Sequence, residues 1–262
     1  MPTDQELSIQ TVKKYNILDA DIDKLFDDIA MLATESCDKP FAMVSFIDAD
    51  KLWVSSQVGL FPREMDQKNY FCEQTVKQNG LLEISDTLLD KRTELNKFVI
   101  ETPNIRYYAG VPLINSEKQI LGTLCLFDTK PNILDKHQKS MLRLLAKDVV
   151  SQLELRRKNL ELSKLIELNQ LITRNNPDLV FAKDSDYKIL HANTAFLSLF
   201  PEKIRDHVIG SSTLERYSDA DAATFLVQDK LAFEQGKAET IEKITFPNGE
   251  IRSLFITKTR FE

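Results

Sequence analysis

The sequence predicts an α+β protein of two domains, each an antiparallel sheet flanked by helices, joined by a long coiled-coil-type helix. Three observations carry this reading. Two blocks of the chain mix strand-length apolar runs with segments of helical periodicity. Between them, no Pro or Gly interrupts the chain from Asn132 to Asn176, so one helix can run through that interval. At 262 residues the chain has room for two cores of roughly 150 residues or fewer each. The expected division is 1–134, then a linker helix over 135–175, then 176–262.

The first block opens with helix. Ile22, Leu25, Phe26, Ile29, Leu32 and Ala33 recur at helical spacing between Asp21 and Cys37. FAMVSFI (41–47), a turn at Asp48-Ala49-Asp50 and LWVSSQVGL (52–60) then predict an antiparallel hairpin of β-branched and aromatic residues. A short helix over 71–78 is expected to close on a left-handed cap at Asn79-Gly80. LLEIS (81–85) is a third strand, 86–106 is polar and irregular, and YYAGVPLI (107–114) and ILGTLCLF (120–127) complete the sheet.

Asp135 with Gln138 three residues on predicts a capping box that starts the long helix. Leu142, Ala146, Val149 and Leu153 alternate spacings of four and three, as a coiled-coil seam does, and Leu162, Leu165, Asn169 and Ile172 do so again. Arg156 falls on the first seam, so the two are out of phase. This predicts a parallel homodimer through Leu142, Val149, Leu153, Leu162, Leu165 and Ile172, with a phase break between the seams.

Asn176-Pro177 stops that helix. DLVFAK (178–183) and KILHAN (188–193) predict a hairpin, and helical segments follow over 194–200 and 220–235. A second hairpin, 238–246 with 251–261, is marked by Pro247-Asn248-Gly249. The order of the second block is therefore β-β-α-α-β-β.

Composition excludes several function classes. An apolar fraction of 42% with 28% charged residues is that of an ordinary folded chain. A net charge of -6 argues against a nucleic-acid partner, and Arg156-Arg157-Lys158 reads as a solvated helix face beside Glu154 and Glu161. No apolar run is long enough to span a bilayer and the first ten residues are polar, so no membrane partner is expected and a cytoplasmic location is. Cys37, Cys72 and Cys125 give neither a disulfide framework nor a zinc spacing. The seven glycines form no phosphate-cradling loop.

Asp19, Asp21 and Asp23 imitate the start of a calcium loop, but Lys24 and Ala30 stand where its Gly and Glu would be, so no metal is expected.

With these elements in place, the first block resembles a bacterial GAF domain of the kind found ahead of diguanylate cyclases and histidine kinases. The matching stretches are YNILD (15–19), LFDDIAMLA (25–33), PFAMVSFID (40–48), FCEQTV (71–76), DTLLDKRTELNKFV (86–99), IRYYAGVPL (105–113), LGTLCLFD (121–128) and SQLELRR (151–157). The second block resembles a PAS domain through 176–200 and ITFPNGEIRSLFITK (244–258).

The resemblance implies a sensory input module that binds an unknown small molecule or partner and controls an output domain, a diguanylate cyclase ahead of a histidine kinase. No catalytic motif of either output is present, so the chain itself is expected to be no enzyme. Two rivals remain: a GAF-fold methionine sulfoxide reductase working through cysteines, and a ligand-free dimerisation scaffold. A PAS sheet has five strands where this block has four, so the second domain is expected to stop before its last strand.

No cofactor is expected. The GAF block lacks a Cys beside a His for a bilin, the PAS block has no Cys for a flavin adduct, and 220–235 contains no His to ligate haem. His191 reads as a packing residue of the second strand, and His137 lacks a phosphoacceptor context. In the GAF pattern, 86–99 covers the sheet, and Phe46, Trp53, Cys72, Asp86, Asn96, Arg106, Tyr108 and Thr123 are candidates to line a pocket. Arg106 there would hold a small anionic or polar ligand, or else pair structurally with Asp86 while Trp53 joins the core. Cys72 and Cys125 are expected as reduced thiols in apolar settings, with oxidant sensing as the alternative.

Overall fold

A computed structural model of the chain describes residues 15, 25–48, 51–59, 64–66, 70–78, 80–212, 219–245 and 249–261. The expectations for residues 21–24, for Asp19, for the turn at Ala49-Asp50, for Asn79 and for Pro247-Asn248 lie outside them. The chain divides into two compact units, one up to Leu162 and one from Ser163 onward.

The first unit is built on six antiparallel strands: β1 (Phe41–Asp48), β2 (Lys51–Val58), β3 (Glu64–Asp66), β4 (Leu82–Ile84), β5 (Tyr107–Ile114) and β6 (Ile120–Asp128). Their order in the sheet is β3-β2-β1-β6-β5-β4. The predicted strands all form; β3, which pairs Met65 with Leu52, carries no alternation strong enough to announce it. The unbroken apolar runs of β5 and β6 follow from their position, because both faces of the sheet are covered.

Helix α1 (Asp27–Cys37) and the start of a long helix cover one face, where Phe26, Ile29 and Ala33 meet Val44, Phe46, Ala109 and Leu124. Helix α2 (Tyr70–Gln78) and the segment after β4 cover the other, where Phe71, Val99 and Ile105 meet Met43, Ile84, Tyr108 and Phe127. The stretch 86–106, expected to be irregular, includes the single turn α3 (Lys97–Ile100). Gly80 does not take the left-handed conformation expected of it.

Two local devices fix the sheet. Between Val44 and Ser45 the register shifts, so Val44 faces Ser56 and Ser45 faces Val54, with Ser55 as the extra residue of a bulge. Gly122 on β6 sits against β1, where a Cβ would overlap the Ser45 carbonyl oxygen.

Helix α4 (Lys136–Asn175) runs 40 residues without a break. The capping box forms in both directions: the Gln138 amide donates to Asp135 Oδ1 at 2.8 Å and the Asp135 amide to Gln138 Oε1 at 3.0 Å.

The two seams of α4 differ in what covers them. Leu142, Ala146, Val149 and Leu153 are buried in the first unit, against the sheet and α1. Leu162, Leu165 and Ile172 are 56, 55 and 59% exposed. The expectation that Leu142, Val149 and Leu153 form a dimer seam is corrected, because the sheet already takes that stripe. A heptad stripe looks the same in sequence whether a sister helix or a sheet covers it.

The second unit has two hairpins, β7 (Phe181–Lys183) with β8 (Ile189–Ala192) and β9 (Lys237–Thr245) with β10 (Ile251–Thr259). Between them lie α5 (Thr194–Leu197), a 3₁₀ turn (Glu202–His207) and α6 (Asp219–Gln235), which packs on β9 and β10. The predicted β-β-α-α-β-β order therefore stands, and among the described residues no ladder joins the hairpins. Asn193 ties the first hairpin to its helix: its Oδ1 accepts from the Val180 and Phe196 amides while its Nδ2 donates to the carbonyls of Asn176 and Asp178. Ile189, Phe196, Phe200 and Val208 form the small core around it.

The start of α4 is pinned to the sheet through Glu83. Its carboxylate accepts from the Leu134 amide at 2.6 Å and Tyr107 Oη at 2.9 Å, and pairs with Lys139 Nζ at 2.7 Å. Burial alone would raise this carboxyl; the hydrogen bonds from Lys139, Leu134 and Tyr107 outweigh it and hold it below its ordinary range. A depressed carboxyl contributes stability above its unfolded pKa of about 4.3, and that contribution fades as pH falls through the lower folded value. Glu83→Gln is therefore expected to be less stable than the natural chain at pH 7, with the difference shrinking steadily towards pH 3 in urea titrations. A gap that stays constant across that range would assign the loss to packing instead of charge.

Candidate functional site

The residues most able to do chemistry in the first unit converge where α2 crosses β1, β5 and β6. Phe71, Cys72 and Thr75 lie on the inward side of α2, with Thr75 one turn beyond Phe71. Tyr108 stacks on Phe71 with centroids 4.9 Å apart, and Phe127 meets both rings, at 5.8 Å from Phe71 and 5.4 Å from Tyr108. Stacking fixes the Tyr108 ring so that its hydroxyl lies against Thr75 Oγ1 and 3.2 Å from Cys125 Sγ. This requires Gly110: a Cβ there would overlap the Tyr108 hydroxyl and stand 2.6 Å from Thr75 Oγ1.

Around that hydroxyl the polar atoms form one connected cluster. Cys72 Sγ and Cys125 Sγ are 3.8 Å apart, Cys125 Sγ lies 3.2 Å from Thr123 Oγ1, and Thr123 and Ser45 hydroxyls are 2.9 Å apart. Ser45 Oγ is also 3.9 Å from Cys72 Sγ. The expected apolar setting of the cysteines is thus corrected: sequence neighbours of Cys72 and Cys125 are apolar, but strand pairing brings hydroxyls from elsewhere. Both are free thiols and buried, as is Cys37.

Their acidities diverge. A hydrogen bond from Cys125 lowers Cys72, whereas burial, reinforced by the neighbouring sulfur, pushes Cys125 well above an ordinary thiol. Cys72 is therefore the more acidic of the two, and Cys125 keeps its proton. Burial also pushes Tyr108 well up, so its phenol stays neutral. The cluster is a shielded, mutually satisfied network in which every hydroxyl and thiol has a partner.

The other predicted pocket residues do not join it. Phe46 points to the opposite face of the sheet, against Phe26 at 5.8 Å, and Trp53 sits directly across from Phe46 in the ladder and shares that face. The expectation that both line a common pocket with Tyr108 is corrected; the residues of β1 on the Tyr108 side are Met43 and Ser45. Asn96 caps α3, accepting from the Phe98 amide at 2.9 Å. Asp86 and Arg106 form a bidentate pair at 2.6 and 2.9 Å, which is the structural alternative weighed for them. The Arg106 guanidinium holds the Asp86 carboxyl below its ordinary value. Of the eight candidates, Cys72, Tyr108 and Thr123 come together.

Sequence reading missed Ser45, Thr75 and Cys125 as members of one network, although polar residues inside apolar strands and on the inner side of a helix are the available signal. It also missed Tyr15, whose hydroxyl donates to Glu154 Oε1 on α4 at 2.7 Å and accepts from Asn115 at 3.2 Å. Burial raises Tyr15 to about 12, and the Arg157 guanidinium lies 5.4 Å from its ring centroid.

Residues 21–154 match the GAF domain family, and residues 173–262 match the PAS fold. The chain belongs to the GAF domain family. Its GAF domain is followed by a PAS domain, as the sequence motifs suggested. A cyclic di-GMP phosphodiesterase of Pseudomonas aeruginosa is 28% identical over 206 residues, which are 78% of this chain and 35% of that protein. The chain thus spans about a third of the length of the curated relative it matches.

Among solved structures, a free methionine-R-sulfoxide reductase from Neisseria meningitidis is 16% identical with a TM-score of 0.46, covering 61% of this chain and 95% of that one. The GAF domain of an Acinetobacter phosphoenolpyruvate-protein phosphotransferase is 11% identical with a TM-score of 0.43, covering 63% and 99%. The expectation that the chain is no enzyme is overturned by the Pseudomonas relative, which carries the name of one. No helix among the described residues is long and apolar enough to cross a membrane.

Tyr108→Phe removes the hydroxyl that joins Thr75 to Cys125 and leaves the stacked ring in place. The variant is expected to lose about 1–2 kcal/mol in urea unfolding, since buried partners lose a hydrogen bond without gaining water. Its Cys125 should also react faster with a thiol reagent in the folded state. Unchanged stability together with unchanged thiol reactivity would show that the network contributes nothing to holding α2 on the sheet.

Proposed function

We propose that this chain is a sensory region that governs cyclic di-GMP turnover. The observation that carries the reading is the joint match: a GAF domain followed by a PAS domain, and a relative named for cyclic di-GMP phosphodiesterase activity aligned over most of the chain. That name favours breakdown of cyclic di-GMP over the synthesis expected from the motifs alone. The test is direct: the purified natural protein is incubated with cyclic di-GMP and the linear product is followed by chromatography. Consumption that changes several-fold when the GAF network is disturbed by Tyr108→Phe supports the reading; absence of any cyclic di-GMP consumption rejects it.

The exposed half of α4 supports a homodimer. Leu155, Leu162, Leu165, Leu168 and Ile172 are all exposed on this helix, although their type favours burial. Two parallel copies would cover that stripe, and a dimer would let both sensory units act on one helix pair. Leu162→Lys with Leu165→Lys is expected to give a monomer in sedimentation velocity with the GAF melting transition retained, since neither residue belongs to its core. A double variant that still sediments as a dimer would move the interface elsewhere. Leu153 is unsuited to this test, because it is 1% exposed inside the first unit.

A further inference from the structure

Cys72 on α2 and Cys125 on β6 are 53 residues apart in the chain, yet their sulfurs lie 3.8 Å from each other inside the first unit. That is contact distance. Cys37 offers the contrast. It is equally buried, but its sulfur meets the Gln138 carbonyl at 3.7 Å, and burial pushes its thiol up to about 11.

The two paired sulfurs occupy unlike surroundings. Cys72 is the third residue of α2, in the first turn, where unsatisfied backbone N–H groups and the positive end of the helix dipole favour a thiolate. The Ser45 hydroxyl, 3.9 Å away, and the Cys125 thiol offer hydrogens to the same sulfur. Cys125 stands inside β6, away from any helix end, and burial keeps its proton on. Stepwise oxidation of a thiol pair needs such an inequality: one sulfur to attack the oxidant, and a second within reach to displace the oxygen it leaves behind.

Burial selects the oxidant. Cys72 is 2% exposed and Cys125 is fully buried, so glutathione and other bulky disulfides are kept from both. A reagent near water in size needs only a small local opening to reach a cluster lined by hydroxyls. Hydrogen peroxide is small, uncharged and able to hydrogen-bond there.

We propose that Cys72 and Cys125 are a peroxide-responsive pair that closes to a disulfide linking α2 to β6. The Cys72 thiolate attacks one oxygen of hydrogen peroxide; the O–O bond breaks, Cys72 becomes a sulfenic acid, and the departing hydroxide takes up the proton Cys72 had released, as water. The Cys125 sulfur then attacks the Cys72 sulfur; the S–O bond breaks, and the hydroxide that leaves takes the Cys125 proton as a second water. The two sulfurs give up two electrons in all, and one peroxide becomes two waters. The Tyr108 and Thr123 hydroxyls, each 3.2 Å from Cys125 Sγ, can both turn their hydrogens towards it, so the oxidised sulfur keeps its contacts. The pair stands on the first unit alone and is independent of the cyclic di-GMP reading.

The experiment exposes the intact, reduced 262-residue chain to excess hydrogen peroxide below its melting transition. Remaining thiols are alkylated after denaturation and the peptides are mapped by mass spectrometry. An intramolecular Cys72–Cys125 disulfide is expected to form about tenfold or more faster than Cys37 is oxidised, and the preference should vanish in urea, where the cluster no longer exists. Cys125→Ser should halt at a Cys72 sulfenic acid that dimedone traps, and Cys72→Ser should leave Cys125 reduced over the same time. Persistence of both thiols in the folded chain overturns the proposal. So does oxidation spread evenly over the three cysteines, a link made to Cys37 or between two chains, or a preference that survives urea. These outcomes are read on the natural chain and hold even where a variant folds poorly.

Discussion

An apolar helix stripe persists in water only where something covers it, and the rest of this protein is arranged around how α4 meets that demand. Its first turns lie on the GAF sheet, with Leu142, Leu145, Val149 and Leu153 filling the same core as Phe26, Phe46 and Leu124. Covering that stripe at about 25 cal/mol per Å² makes the helix part of the domain and not an appendage to it. The capping box of Asp135 and Gln138 sets where it starts, Glu83 ties that start to β4, and Tyr15 ties a later turn through Glu154. Beyond the sheet-bound turns the helix continues unbroken to Asn175, rising about 1.5 Å per residue.

The two interiors treat polar atoms differently. In the GAF unit, Ser45, Cys72, Thr75, Tyr108, Thr123 and Cys125 answer one another, and the Phe71–Tyr108–Phe127 rings close over them. Such a network fixes one packing, since moving any member strands its neighbours. In the PAS unit the corresponding polar group is only partly answered: Asp229 holds Lys183 and Lys258 while Glu242 holds nothing. A folded chain keeps an unanswered buried carboxylate at a cost.

What was legible in the sequence follows from how local each signal is. The capping box needs only Asp135 and Gln138, and it forms as expected. Strand runs such as 107–114 and 120–127 are equally local and hold to the residue or nearly so. Face assignment was not legible. Where both sides of a sheet are buried, alternation separates two faces without saying which one meets α2, so Phe46 was placed with Tyr108 when Met43 and Ser45 belong there. The bulge at Ser55 then shifts the partners of β2 by one. The cover of α4 was illegible for the same reason, because Leu153 and Leu165 carry identical patterns and meet different fates. The triad of Lys183, Asp229 and Lys258 joins three separate elements, and the faint signal available was a charged residue on the strand face that also carries Leu254 and Ile256.

The polar residues chosen by type in the GAF unit mostly build the fold. Asp86 and Arg106 bind each other in the two-pronged geometry that a carboxylate ligand would otherwise occupy, and Asn96 spends its side chain on the first turn of α3. A ligand entering beside Tyr108 would first have to break ring contacts worth about 0.5–1.5 kcal/mol each and then replace the hydroxyl and thiol contacts beneath them. Shifting α2 as a body would part Cys72 and Thr75 from Ser45, Cys125 and Tyr108, all of which belong to the strands. The glycine that lets Tyr108 reach Thr75 thus leaves no spare room beneath α2, because the Tyr108 hydroxyl and Thr75 fill the place a Cβ would take, and the network holds that helix to one position on the sheet.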